Sequence, residues 1–162
     1  MFVVKWLLIA VVALALAALL VGQLGLLQGR APSNPGVRDG RLKPPSPTPN
    51  SVSSQAGLYP DHPMRSYAQI DPLPASDDAA ASMARLRSAI EAMPGARIVK
   101  SEPGYLYVQF TTRWMKYVDD AEFWFDPATQ AIQLRSASRV GGKDFGVNRK
   151  RIEDIRARLA AR

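Results

Sequence analysis

The 162-residue chain contains no cysteine and a single histidine. Without cysteine there is no disulfide, no thiol nucleophile and no thiolate metal site, and the redox compartment leaves no trace. The one histidine, His62, sits in a proline-rich segment with no nucleophile motif beside it. A serine, histidine and acid arrangement has nothing to build on there. Acidic residues are scarce as well, 14 against 21 Lys and Arg, for a net charge of +7. The shortage is local: from Arg135 to Arg162 nine basic residues meet three acidic ones, which is +6 of the +7. Such an excess serves nucleic acid, an anionic membrane surface, an acidic partner or solubility, and charge alone does not choose among them. There is no internal repeat, and the length allows one ordinary domain with appendages.

The longest run without charge is WLLIAVVALALAALLVGQLGLLQG, Trp6 to Gly29. At ~1.5 Å per residue it can cross a ~30 Å hydrocarbon core as a helix. It is a membrane helix or a signal sequence. A cleaved signal has an apolar region of about 7–15 residues and a small-x-small site; this run is longer and enters Gln28-Gly29-Arg30 without such a site, which favours an uncleaved single-pass anchor. Only Lys5 precedes the helix, whereas Arg30, Arg38, Arg41 and Lys43 follow it. Counted literally, the positive-inside rule keeps the domain in the cytoplasm.

Ala31 to Asn50 holds six prolines and almost no large apolar residue, the composition of an extended, largely unpaired tether. Ser51 to Ala75 stays proline-rich but gains Val52, Leu58, Tyr59, Tyr67, Ile70 and Leu73, enough for an ordered irregular arm. The expected organisation is an anchor or signal at 1–29, a linker at 30–48 and a folded domain at 49–162. Within the domain, Ser76-Asp77-Asp78 supplies a helix start. Met83, Leu86, Ile90 and Met93 give that helix an apolar stripe, and Pro94-Gly95 stops it. A strand at Arg97 to Ser101 leads through Glu102-Pro103-Gly104 into Tyr105 to Trp114. There Leu106, Val108, Phe110, Thr112 and Trp114 alternate with Tyr105, Tyr107, Gln109, Thr111 and Arg113. The first set is expected to face the core, the second outward.

Val118 to Asp126 and Ala131 to Val140 flank a four-residue loop, Pro127 to Gln130, of a common hairpin length. Closing it sets Phe125 opposite Ile132, Phe123 opposite Leu134, Glu122 opposite Arg135 and Asp119 near Ser138. A final helix from about Val147 to Ala160 buries Ile152, Ile155 and Leu159. The fold class is α+β, an antiparallel sheet of about four strands covered by two helices, preceded by the apolar helix and the linker.

With these elements placed, RSASRVGGKDFGVNRKRIEDIR (Arg135 to Arg156), YVDDAEFWFDP (Tyr117 to Pro127) and PNSVSSQA (Pro49 to Ala56) resemble the three signatures of a bacterial and plastid family known as domain of unknown function 1499. The resemblance spans roughly Pro45 to Leu159. It brings no activity, and implies an exported or membrane-associated domain on the outer, periplasmic side, against the charge count. Ser51 stands where members commonly have cysteine, so no thiol role carries over. Gly142 stands where an aromatic residue is usual in the loop.

Two readings of the arginine block compete. In one, the block is a folding signature: Glu122 pairs with Arg135 across the hairpin, and Asp119 and Asp120 take Arg139 or Arg149. In the other, Arg149, Lys150 and Arg151 oppose the dipole at the start of the last helix by ~0.3–1 kcal/mol each. An external anion would then compensate them, using free N–H groups and Arg135, Ser136, Ser138, Arg139, Arg149 and Arg151. Asp144 is a candidate cap. Helical geometry places Arg149 and Arg151 beside the buried stripe, Lys150 in solvent and Asn148 as a backbone cap.

The anion would be a lipid headgroup, an envelope polymer or an acidic protein. A hydrolase or transferase using the same basic pocket is a third reading, but no catalytic set stands out and no cofactor is implied. A metal site at Asp119, Asp120 and Glu122 is opposed by strand alternation, which sends Asp119 to the other face, and by the competing arginines. Tyr105, Tyr107 and Arg113 could stack nucleic-acid bases; the membrane tether argues against that, and a helix or partner covering the tyrosines is the more ordinary arrangement.

Overall fold

The structure, a computed structural model, describes residues 2–76 and 78–161. Helix α1, Phe2–Gln23, leaves its apolar window unburied and is long and apolar enough to cross a membrane; a signal sequence near an N-terminus passes the same test. Among the described residues, six strands form one antiparallel sheet: β1 Ser51–Ser53, β2 Leu73–Pro74, β3 Ala96–Glu102, β4 Tyr105–Thr111, β5 Val118–Asp126 and β6 Ala131–Ser138. Their order is β1-β6-β5-β4-β3, with β2 also on β6. A short 3-10 turn, Ala56–Leu58, and helix α2, Arg65–Ala68, join β1 to β2, while α3, Ala79–Glu91, and α4, Val147–Ala160, supply the long helices. The class is α+β, with six strands rather than four. The two additional strands are three and two residues long, too short to show alternation, and come from the arm expected to be irregular.

Alternation positions the core. Leu106, Val108 and Phe110 of β4 join Phe123 of β5 and Ile132 and Leu134 of β6, packed under Leu86 and Ile90 of α3 and Ile152, Ile155 and Leu159 of α4. Burying such side chains stabilises by ~1.5–3 kcal/mol each. Helix α3 is capped by Asp78, whose carboxylate accepts the Ala80 and Ala81 N–H groups; Asp77 lies outside the described residues. The β5 to β6 register places Phe125 on Ile132, Phe123 on Leu134, Glu122 on Arg135 and Asp119 on Ser138, as loop closure requires.

Two expectations for β4 and its surroundings are corrected. The strand ends at Thr111, and Trp114 is 61 % exposed rather than in the core. The chain turns back at Thr112, whose N–H donates to Tyr117 O and whose hydroxyl accepts the Tyr117 N–H. Conversely, Tyr105 and Tyr107 are buried although they lie on the face away from the helices. Their cover is a strap, Gly36 to Ser46, from the stretch expected to be a largely unpaired tether. Arg38 and Arg41 bond each other through both backbone groups around Asp39-Gly40, both at positive φ, the geometry of a two-residue hairpin turn. This small hairpin seats Leu42 in contact with Tyr105 and Tyr107, with Val37 and Trp124 alongside.

Candidate functional site

The arginine block does not converge on one pocket. Ser136 and Ser138 alternate with Arg135 along β6, so the hydroxyls share the helix-covered face with Asp119 while Arg135 shares the strap-covered face with Asp120 and Glu122. The six residues proposed as one anion set are thereby divided between the two faces of the sheet: Ser136, Ser138, Arg149 and Arg151 on one, Arg135 and Arg139 on the other.

On the helix side the centre is Asn148 at the start of α4, fully buried. Its Oδ1 accepts from the Ser136 hydroxyl at 2.5 Å and from Arg151 Nη1 at 2.8 Å, and its Nδ2 donates to Asn50 O, Ser138 Oγ and Asp144 Oδ2. Asn148 is therefore a hub joining sheet, helix and loop, more than the backbone cap its position suggested. Arg151 Nη2 donates to Asp119 Oδ2 at 2.5 Å with both side chains about nine-tenths buried, and the guanidinium lies 4.6 Å from the Phe110 ring centroid. The helix N-terminus already holds a carboxylate. Asp144 Oδ1 accepts from Gly146 N–H and the Tyr67 hydroxyl, and Oδ2 from Asn148 N–H and Nδ2. Burial pushes the Asp144 carboxyl up, but these bonds outweigh it and hold the pKa below its ordinary 3.8. The same burial and the hydrogen bond to Asp144 push the Tyr67 phenol up. Arg149 Nη2 donates to Tyr67 O at 2.6 Å, and exposed Lys150 pairs with Asp154 one turn on.

On the strap side Arg139 grips Asp120 with two bonds of 2.7 Å, Nε to Oδ2 and Nη2 to Oδ1, both side chains 7 % exposed. Those hydrogen bonds outweigh burial and raise the arginine's pKa. Tyr107 also donates to Asp120 Oδ1, at 2.6 Å. The expected ion pair of Glu122 with Arg135 is corrected: the residues are opposed in register, yet they are not among the ion pairs of the described residues. Each is occupied by the strap. Glu122 Oε2 accepts from the Tyr105 hydroxyl and from Gly36 N–H, both at 2.6 Å, while Arg135 donates to Pro44 O at 2.9 Å and to Ser46 Oγ at 3.5 Å. Desolvation lowers the Arg135 pKa, opposed by the charge of Glu122, and likewise lowers that of Lys43. It also raises Tyr105 and Tyr107, which remain phenols and donors. Gln55 and Tyr59 complete the clamp: Gln55 bonds Leu42 N and Gly40 O, and the Tyr59 hydroxyl donates to Leu42 O.

The remaining candidates lie elsewhere. His62 Nδ1 accepts the Met64 N–H within its own turn. Asp119 faces away from Asp120 and Glu122, and among the described residues no group of three or more His, Asp or Glu converges to hold a metal. Ser51, buried, accepts Ser46 N–H at 2.8 Å. The strap was legible in part, because Asp39-Gly40 flanked by Val37 and Leu42 is a short-range hairpin signal; the Gln55 and Tyr59 clamps carry no local signal.

Fold and site together define a class: an α+β domain behind an apolar N-terminal helix, whose charged signature bonds strap, sheet and helix to one another. The chain belongs to the family described as Protein of unknown function (DUF1499), whose model matches residues 41–159. The match takes in both buried ion pairs and begins within the strap. No curated protein and no solved structure gives a significant match.

Proposed function

We propose that the chain is a membrane-anchored, non-enzymatic interaction module whose arginines hold the domain together and to its tether instead of taking a ligand. One observation carries the reading: the strap from Gly36 to Ser46 is bonded by Glu122, Arg135, Gln55 and Tyr59, so on its side of the sheet the chain itself takes the arginine that would meet an external anion. The helix α1 supplies the anchor, and the domain stands on the outer side, as the family resemblance implies. Only Arg149 favours the anion reading. It shares with Tyr67, Lys143 and Gly146 a hollow of about 510 Å³ beside the start of α4.

Thermal denaturation of the full chain in detergent, with and without inorganic phosphate or sulfate, separates the two. The structural reading predicts no anion-dependent rise in melting temperature. A rise abolished by Arg149→Gln, with the unliganded melting temperature unchanged, would establish the anion site and displace the structural reading.

A further inference from the structure

Where α1 ends, it lies against the domain. Gly22 is buried, and a Cβ there would come within 2.9 Å of Met115 Cα. Gln23 Nε2 donates to Trp114 O at 2.7 Å, and Gly29 sits against Arg139 and Val140. The β4 to β5 loop and the loop after β6 therefore stand beside the segment through which the chain leaves the hydrocarbon. At that end the side chains are of a particular kind. Trp114 is 61 % exposed, Val140 43 % and Phe145 93 %, the last at φ +52°. Among the described residues no ion pair includes Arg113, Lys116 or Lys143. The acids nearby are occupied: Asp119 holds Arg151, Asp154 holds Lys150, and Asp144 caps α4.

We infer that this rim docks onto an anionic lipid bilayer around the exit of α1, Trp114, Val140 and Phe145 entering the interface and Arg113, Lys116 and Lys143 meeting headgroup phosphates. Aromatic side chains partition to the headgroup level, and basic residues near a membrane helix are drawn to anionic leaflets. Arg113 stacks over Trp114 with 5.0 Å from Cζ to the ring centroid, which brings cation and ring to one level. The rim takes Val140, Lys143 and Phe145 from the Arg135 to Arg156 stretch and shares Lys143 with the Arg149 hollow, but it uses none of the six residues of the expected anion set, and the inference rests on the anchoring part of the proposed function.

The test uses the full chain in vesicles of phosphatidylcholine, with and without phosphatidylglycerol. Since the chain has no cysteine, single nitroxides can be placed at Val140→Cys and Phe145→Cys, with Ala128→Cys at the far, β5 to β6 end as reference. A Trp6→Phe/Trp124→Phe variant leaves Trp114 as the sole tryptophan, read by quenching from acyl-brominated lipid. With phosphatidylglycerol present, the labels at 140 and 145 should collide more with oxygen than with a water-soluble nickel chelate, the label at 128 the reverse, and Trp114 should be quenched. Shielding should weaken on phosphatidylcholine alone, and Arg113→Gln/Lys116→Gln/Lys143→Gln should remove the difference between the lipids. Labels as open to nickel as that at 128, equal shielding on both lipids, or shielding that fades as protein is diluted into lipid would each overturn docking. Carbonate extraction of the same vesicles reports the anchor separately: protein retained in the pellet assigns a failure to the rim alone.

Discussion

Asp144 occupies the position that the sequence reserves for an external anion. Its carboxylate takes two backbone N–H groups, one hydroxyl and one amide, so the cations of the first turn of α4 face a compensating charge from within the chain. Because its pKa is held below the ordinary 3.8, its stabilisation is complete above that value and is lost as the pH falls through the lowered pKa. Asp144→Asn should lower stability at neutral pH and flatten the acid limb of the stability curve below about pH 4, as read by urea midpoints across pH. Arg149→Gln breaks only an exposed bond to a carbonyl and should change stability by less than about 0.5 kcal/mol, as surface substitutions do. At this scale the sequence was legible for residue type but not for partner. That Asp119 and Asp120 face opposite ways follows from alternation, but the assignment of Arg151 to one and Arg139 to the other depends on where α4 and the end of β6 lie in space.

The elements are held by close approaches as much as by charge. Gly95, between α3 and β3, has φ +74°, and a Cβ there would meet Thr111 O at 2.2 Å; Gly104, in the β3 to β4 turn, has the same φ with nothing within 4 Å. Gly95→Ala should therefore destabilise by more than the ~1–2 kcal/mol that a left-handed residue costs alone, and Gly104→Ala by about that amount, measured by chemical denaturation. The strap gives a second contrast. Leu42→Ala removes a fully buried side chain and should cost ~2–3 kcal/mol, the low end for such truncations because its cluster is small, with a red shift of Trp124 emission as the cover loosens. Strands β3 to β6, α3, α4 and the β5 to β6 register were readable because alternation and helical spacing persist over several residues. Of the strap only the Asp39-Gly40 turn was readable, because its prolines and charges mask two apolar contacts, Val37 and Leu42, whose partners lie more than sixty residues on in β4 and β5.

Across the whole molecule, the strap, sheet and helix form three layers, and the charged residues of adjacent positions 119 and 120 bond outward to opposite sides of β5. On the proposed anchoring, the contacts of Gly22 and Gln23 with the β4 to β5 loop would hold the domain close to the bilayer instead of on a free tether. Full-length protein should remain in the membrane pellet after carbonate extraction. A mature soluble form beginning near residue 30 would instead identify the helix as a cleaved signal. The central claim, that the arginine block is an internal lock, is tested most directly by a double-mutant cycle on Asp119 and Arg151 in phosphate-free buffer. Each of Asp119→Asn and Arg151→Gln should cost about 3–5 kcal/mol, since each leaves a buried charge unpaired. The double variant should cost less than their sum by roughly 0.5–3 kcal/mol. Singles that melt no lower than the parent, with added phosphate stabilising the parent alone, would contradict it.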